Sequence, residues 1–131
     1  MNLTLPENEV AKIVYDCCFT IHSELGPGMF ESVYERILAF ELRRRGLRVG
    51  RQVEVPVRWR GNEIENAFKA DLIVNDLVII ELKSVDEVAP IHLKQLQTYL
   101  KVTNLRLGIL ANFGAERMKQ GLVRVVNGLP D

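Results

Sequence analysis

The run Leu-Val-Ile-Ile-Glu-Leu-Lys, from Leu77 to Lys83, constrains the fold of this chain more than any other stretch. Val78, Ile79, Ile80 and Leu82 are nearly continuous apolar positions, the mark of a strand buried on both faces. Glu81 and Lys83 interrupt that run with two charges. Burying an ionised group costs several kcal/mol even after relaxation, and an ion pair recovers this only with good geometry and further partners. Two residues apart on a strand, the two side chains point to the same side. They are either a structural ion pair or the lining of a site that needs a carboxylate beside an ammonium.

At 131 residues the chain is expected to form one domain, residues 1–131, with a core that needs no disulfide or metal staple. Seventeen basic residues balance seventeen acidic ones, so overall charge names no partner. The distribution is uneven. From Arg43 to Arg60 there are seven arginines (43, 44, 45, 48, 51, 58 and 60) and one acid, Glu54. Such a cluster is either a solvated surface or a phosphate-tracking patch, with Arg43, Arg44, Arg45, Arg48, Arg58 and Arg60 as candidate contacts. Cys17 and Cys18 are the only cysteines, which fits a reducing, cytoplasmic setting. No signal-peptide pattern and no apolar run of membrane-spanning length is visible.

Taken in order, Thr4-Leu-Pro6-Glu7 reads as a helix start, and Val10, Ile13, Val14, Cys17, Cys18, Ile21 and Leu25 follow at helical spacing. Gly26-Pro27-Gly28 ends that helix. Cys18 and His22, four apart, could hold a metal, but no second pair of ligands accompanies them and packing is the expected role. A second helix spans about Met29 to Arg45, with Phe30, Val33, Tyr34, Ile37, Leu38 and Leu42 inward. Glu31 and Glu35 share one of its faces, where acids also complement the helix dipole. Three strands follow. Val53, Val55, Val57 and Trp59 mark the first, which Pro56 makes an edge or bulged strand. Ile64, Asn66, Phe68, Ala70, Leu72 and Val74 form one face of the second, and Leu77 to Lys83 is the third. A helix from about Pro90 to Val102 leads into an apolar strand, Leu105 to Leu110, expected to cross over and pair in parallel with the core strand. A short helical turn and a last segment, Leu122 to Val126, complete the chain.

The hairpin joining the second and third strands carries a definite test. A two-residue turn at Asn75-Asp76 places Asp71 opposite Ile80, on the face away from Glu81 and Lys83. A three-residue loop or one bulge places Asp71 opposite Glu81. Only the second register gathers the charges.

Asp71 on one strand and Glu81-Leu82-Lys83 on its neighbour, within this order of elements, resemble the PD-(D/E)xK nuclease superfamily, although Ala70 stands where a proline is usual. Gln95-Leu-Gln-Thr-Tyr99 resembles the QxxxY element of its RecB-like branch. Gly28-Met-Phe-Glu31-Ser-Val-Tyr34, with Leu25-Gly26-Pro27 before it and Asn112-Phe113-Gly114 near the end, resembles the GxxExxY protein family. The resemblance implies an α/β fold (an α+β mixed sheet) with a restriction-endonuclease-like core, preceded by an extra helix. It also implies metal-dependent phosphodiester hydrolysis of nucleic acid, DNA in the first place, with Mg²⁺ or Mn²⁺ as cofactor. Asp71, Glu81, the Leu82 carbonyl and Glu31 would hold the ion, with Glu35 as the competitor to Glu31. Such hard oxygen ligands suit either cation. Lys83 would orient or deprotonate the attacking water, Gln95 would position water or phosphate, and Tyr99 and His92 would support them. The alternative is a catalytically inactive nuclease fold that binds nucleic acid or a protein partner. A chain with no evident specificity domain also raises the expectation of a homodimer or partner protein.

Overall fold

The computed structural model describes residues 5–130, so the capping role expected of Thr4 lies outside the described residues. Helices α1 (Pro6–Leu25) and α2 (Glu31–Arg44) precede strands β1 (Val49–Trp59), β2 (Asn62–Val74) and β3 (Val78–Lys83). Then come α3 (Pro90–Thr103), β4 (Leu107–Asn112), the short α4 (Met118–Gly121) and β5 (Leu122–Val126). The strands form one sheet in the order β1-β2-β3-β4-β5, with only the β3–β4 pair parallel. That pair is joined through α3, as a parallel crossover requires. This is the mixed α/β, restriction-endonuclease-like layout expected from the sequence. Among the described residues no helix is long and apolar enough to cross a membrane.

Strand β3 is central because both of its faces are covered. Val78, Ile80 and Leu82 pack with α1 and α2, while Ile79 packs with Leu96 and Leu100 of α3. All four strand residues are fully buried. Each such side chain contributes roughly 1.5–3 kcal/mol relative to exposure, which is why the run tolerates so little polarity.

Several local expectations need correction. Phe30 does not turn inward. The second helix begins two residues later than expected, at Glu31, and Phe30 projects from its end, 82% exposed. Strand β2 does not keep one apolar face. Glu65, Asn66 and Ala67 bulge opposite Pro56 of the edge strand β1, with Asn66 in a left-handed conformation (φ 53°). Ile64 and Asn66 are consequently exposed. Further along, Phe68 and Ala70 pack on the α3 side but Leu72 and Val74 on the α1–α2 side. Cys18 and His22 are packing residues: the buried Cys18 thiol has its pKa raised by desolvation, and His22 Nε2 donates to the Ala115 carbonyl at 2.8 Å.

The end of β3 is clamped from two directions. The Asn112 carboxamide accepts from Val85 N–H and Gly114 N–H, each at 3.0 Å, and donates to the Val85 carbonyl at 2.9 Å. Phe113 N–H donates to the Lys83 carbonyl at 2.8 Å. From the other side, Ser84 Oγ donates to the Met29 carbonyl in the α1–α2 loop. Tyr34 holds that loop, donating its hydroxyl to the Gly26 carbonyl and accepting from Met29 N–H, while its ring stacks on Phe113 at 4.4 Å. Gly114 is required by close approach: a Cβ there would sit 2.4 Å from the Val85 carbonyl oxygen and 2.5 Å from its nitrogen. Backbone cannot yield as a flexible side chain would. Gly114→Ala is therefore expected to destabilise the protein by about 2 kcal/mol, read as a fall of several degrees in Tm by calorimetry.

Candidate active site

The turn between β2 and β3 decides the register. Asn75 and Asp76 both take left-handed backbone (φ 52° and 53°), and Leu77 N–H bonds the Val74 carbonyl at 3.0 Å. Pairing then starts at Val74 with Val78, leaving Leu77 as an extra residue. Leu77 packs against the α1–α2 core, so the bulge lets two successive apolar residues be buried. The consequence is the three-residue loop: Leu72 pairs with Ile80, and Asp71 falls across from Glu81.

At that point the backbone ladder between β2 and β3 opens and side chains replace it. Asp71 N–H donates to Glu81 Oε1 at 3.3 Å, and Leu82 N–H donates to Asp71 Oδ2 at 2.9 Å. Within a strand the N–H and C=O of one residue point to the same side, so the Leu82 carbonyl faces this opening too. Both carboxylates are half-buried. Burial first, and then the charge of Asp71, pushes the Glu81 carboxyl up to about 9, with Lys83 pulling the other way. Among the described residues no ion pair joins Lys83 to either acid. A mutually satisfied Glu81–Lys83 bridge is therefore not what occupies the core strand.

The two helix layers meet at this opening. From α3, Tyr99 stacks on Phe68 with ring centroids 3.9 Å apart, and burial followed by the charges of Glu81 and Asp71 raises its phenol pKa. Gln95 is exposed one turn before it, in a groove that also holds Lys94, Ile91 and Val57. His92 accepts the Ala89 N–H at 3.3 Å through Nδ1, closing the start of α3.

From α2, the acid connected to the site is Glu35. It is 5% exposed, pairs with Arg51 at 3.2 Å and accepts from Gln52 Nε2 at 2.6 Å. The same Gln52 nitrogen reaches Asp71 Oδ1 at 3.1 Å. Glu31, one turn earlier, is exposed and has no hydrogen bond or ion pair among the described residues. Among those residues no group of three or more His, Cys, Asp or Glu is placed to hold a metal ion. By its spacing alone, alternating with Val53 and Val55, Gln52 belongs to the polar surface of its strand. Nothing in its neighbours announces the left-handed backbone that turns it toward Asp71.

The arginines do not form one patch. Arg43, Arg44, Arg45 and Arg48 lie at the end of α2 and the start of β1, whereas Arg58 and Arg60 lie at the far end of that strand. The nine strand residues Val49 to Val57 separate them, roughly 30 Å. Several are engaged locally: Arg43 with the Val49 carbonyl, Arg44 with Glu41, Arg48 with Asp76, and Arg60 over the Trp59 ring. Arg58 pairs across the ladder with Glu63.

The raised Glu81 pKa has a stability consequence in metal-free protein. The folded state holds a proton that the unfolded state loses near pH 4.5. Stability is thus largest below that pH and is lost as pH rises toward about 9, by at most about 1.4 kcal/mol per pH unit from this group. Urea melts in EDTA should show that decline in wild type and a flatter profile in Glu81→Gln.

No curated protein and no solved structure matches the chain. A family model does, that of the PD-(D/E)XK nuclease superfamily, over residues 8–125. That span takes in α2, all of the sheet but its last residue and the Asp71–Glu81 opening, and the chain belongs to the PD-(D/E)XK nuclease superfamily.

Proposed function

We propose that the protein hydrolyses phosphodiester bonds of nucleic acid, DNA in the first place, with a divalent cation at the opening between β2 and β3. The observation that carries this reading is the placement of Asp71 across from Glu81 where the ladder ends, beside the Leu82 backbone. The donor set fits Mg²⁺ or Mn²⁺, which take one or two carboxylates and fill the remaining positions with water and phosphate oxygens. Burial, and then the charge of Asp71, raises the Glu81 carboxyl, and a cation between the two acids would offset both. Asp71, Glu81 and the Leu82 carbonyl would hold the ion. Glu31 stays a candidate as a further ligand, and Glu35 is the acid whose network reaches Asp71. The ion, when bound, supplies Lewis acidity to a phosphate oxygen and to water.

The chain's own groups do the rest. Lys83, on the same strand face as Glu81, orients or deprotonates the attacking water and offsets negative charge gathering on the phosphate. The Tyr99 phenol, held protonated by its surroundings, donates a hydrogen bond toward phosphate or water. Gln95, from the exposed face of α3, positions the substrate. Arg43, Arg44, Arg45 and Arg48 form one phosphate-contacting end, and Arg58 and Arg60 a separate one.

A second reading, a nuclease fold that binds nucleic acid or a protein without cutting, draws on the lack of a three-residue metal cluster among the described residues. Single-turnover cleavage of DNA and RNA with Mn²⁺ separates the two. The catalytic reading predicts cleavage that falls by about 10²–10⁴-fold in Lys83→Ala and is lost in Asp71→Asn. Cleavage indifferent to both substitutions, or none with either metal alongside intact binding, favours the second.

A further inference from the structure

Residue 52 is an anomaly in its strand. Gln52 sits in the middle of β1, yet its φ is 50°, a region that a non-glycine residue of its size rarely adopts. Its neighbours pair normally, Arg51 with Leu72 and Val53 with Ala70, and only the Gln52–Asp71 position between them drops out of the ladder. The strain is local and its result is specific. The Gln52 carboxamide nitrogen lies 2.6 Å from Glu35 Oε1 and 3.1 Å from Asp71 Oδ1. A primary amide has two N–H groups, and both are directed at carboxylates. Glu35 is fixed in turn by Arg51, so Gln52 hangs between a buried anchored acid and Asp71.

Asp71 needs such a hold. It stands where β2 loses its β3 partner, and besides Gln52 its carboxylate is held by Leu82 N–H, through Oδ2, and by the side chain of Glu81. We infer that Gln52 is a positioning residue: it fixes the second oxygen of Asp71, orienting that carboxylate for the cation, and the left-handed backbone at residue 52 is the strain accepted to aim it. Outer partners of metal ligands act this way in general, and their loss weakens metal binding or activity by about 10–100-fold. The inference rests on the reading of Asp71 as a metal ligand.

The distinguishing variant is Gln52→Gly, which removes both the carboxamide and the strain, since glycine accepts positive φ freely. Titration of metal-free protein with Mn²⁺ by calorimetry, thermal melts in EDTA and cleavage kinetics give three readouts. The expected result is a Tm equal to or above wild type with Mn²⁺ affinity about 10-fold weaker, and kcat reduced with KM for nucleic acid unchanged. Gln52→Asn, which tolerates left-handed backbone but is one methylene shorter, should also bind Mn²⁺ more weakly than wild type. It stands in if the glycine variant fails to fold. Wild-type affinity in a folded variant overturns the inference. If Asp71→Asn abolishes Mn²⁺ binding while Gln52→Gly leaves it intact, the inference alone fails. If wild type binds no Mn²⁺, the metal-site reading fails with it.

Discussion

Past Ile80 the backbone ladder between β2 and β3 gives way to two bonds made by side chains, Asp71 N–H to Glu81 and Leu82 N–H to Asp71. Everything else in the molecule bears on that opening. A sheet covered on both faces has no room for unpaired backbone donors, so the carboxylates that replace the ladder bonds are held by the same rule that forms the sheet. Burial then sets the chemistry. Burial, and then the neighbouring charge of Asp71, pushes the Glu81 carboxyl up to about 9. A cation brought to such a pair displaces a proton as well as filling a site.

The elements around the opening divide the work. The Asn112–Gly114 turn grips the backbone that follows Lys83, and Tyr34 locks the α1–α2 loop against both Phe113 and the chain leading to Ser84. Residues that carry the resemblance to a nuclease family are thus in part architectural. Gly26, Tyr34, Phe113 and Gly114 touch one another's segments and fix where β3 ends, without reaching the carboxylates. Glu35 and Gln52 approach Asp71 from the α2 side and Tyr99 from the α3 side, so both helix layers converge where two strands part.

The sequence is most legible where burial dictates residue type. The β3 run, the α3 crossover and the parallel β4 follow from hydrophobic pattern alone, because a strand covered on both faces admits few alternatives. The β2–β3 register is legible only as a choice between two turns, since Asn75-Asp76 suits either. The structure takes the bulged one, in which Leu77 packs partly buried beside the fully buried Val78. The least legible features depend on backbone conformations that residue type does not announce. Positive φ at Gln52 and Asn66 re-aims β1 and bulges β2, and neither is glycine. Spacing treats Glu31 and Glu35 alike, yet one is exposed and the other is buried against Arg51 and Gln52. The arginine cluster divides for a related reason: closeness in sequence becomes distance in space once an extended strand intervenes.

The proposed hydrolysis requires a divalent cation in the gap where β2 and β3 separate. Crystals soaked in Mn²⁺ test it most directly, by anomalous diffraction. The expected result is a strong peak within coordination distance of Asp71, Glu81 and the Leu82 carbonyl, about 2.0–2.3 Å from each oxygen. A peak elsewhere on the chain, with the Asp71 carboxylate still bound to Leu82 N–H and Gln52 and that of Glu81 to Asp71 N–H, would overturn that placement.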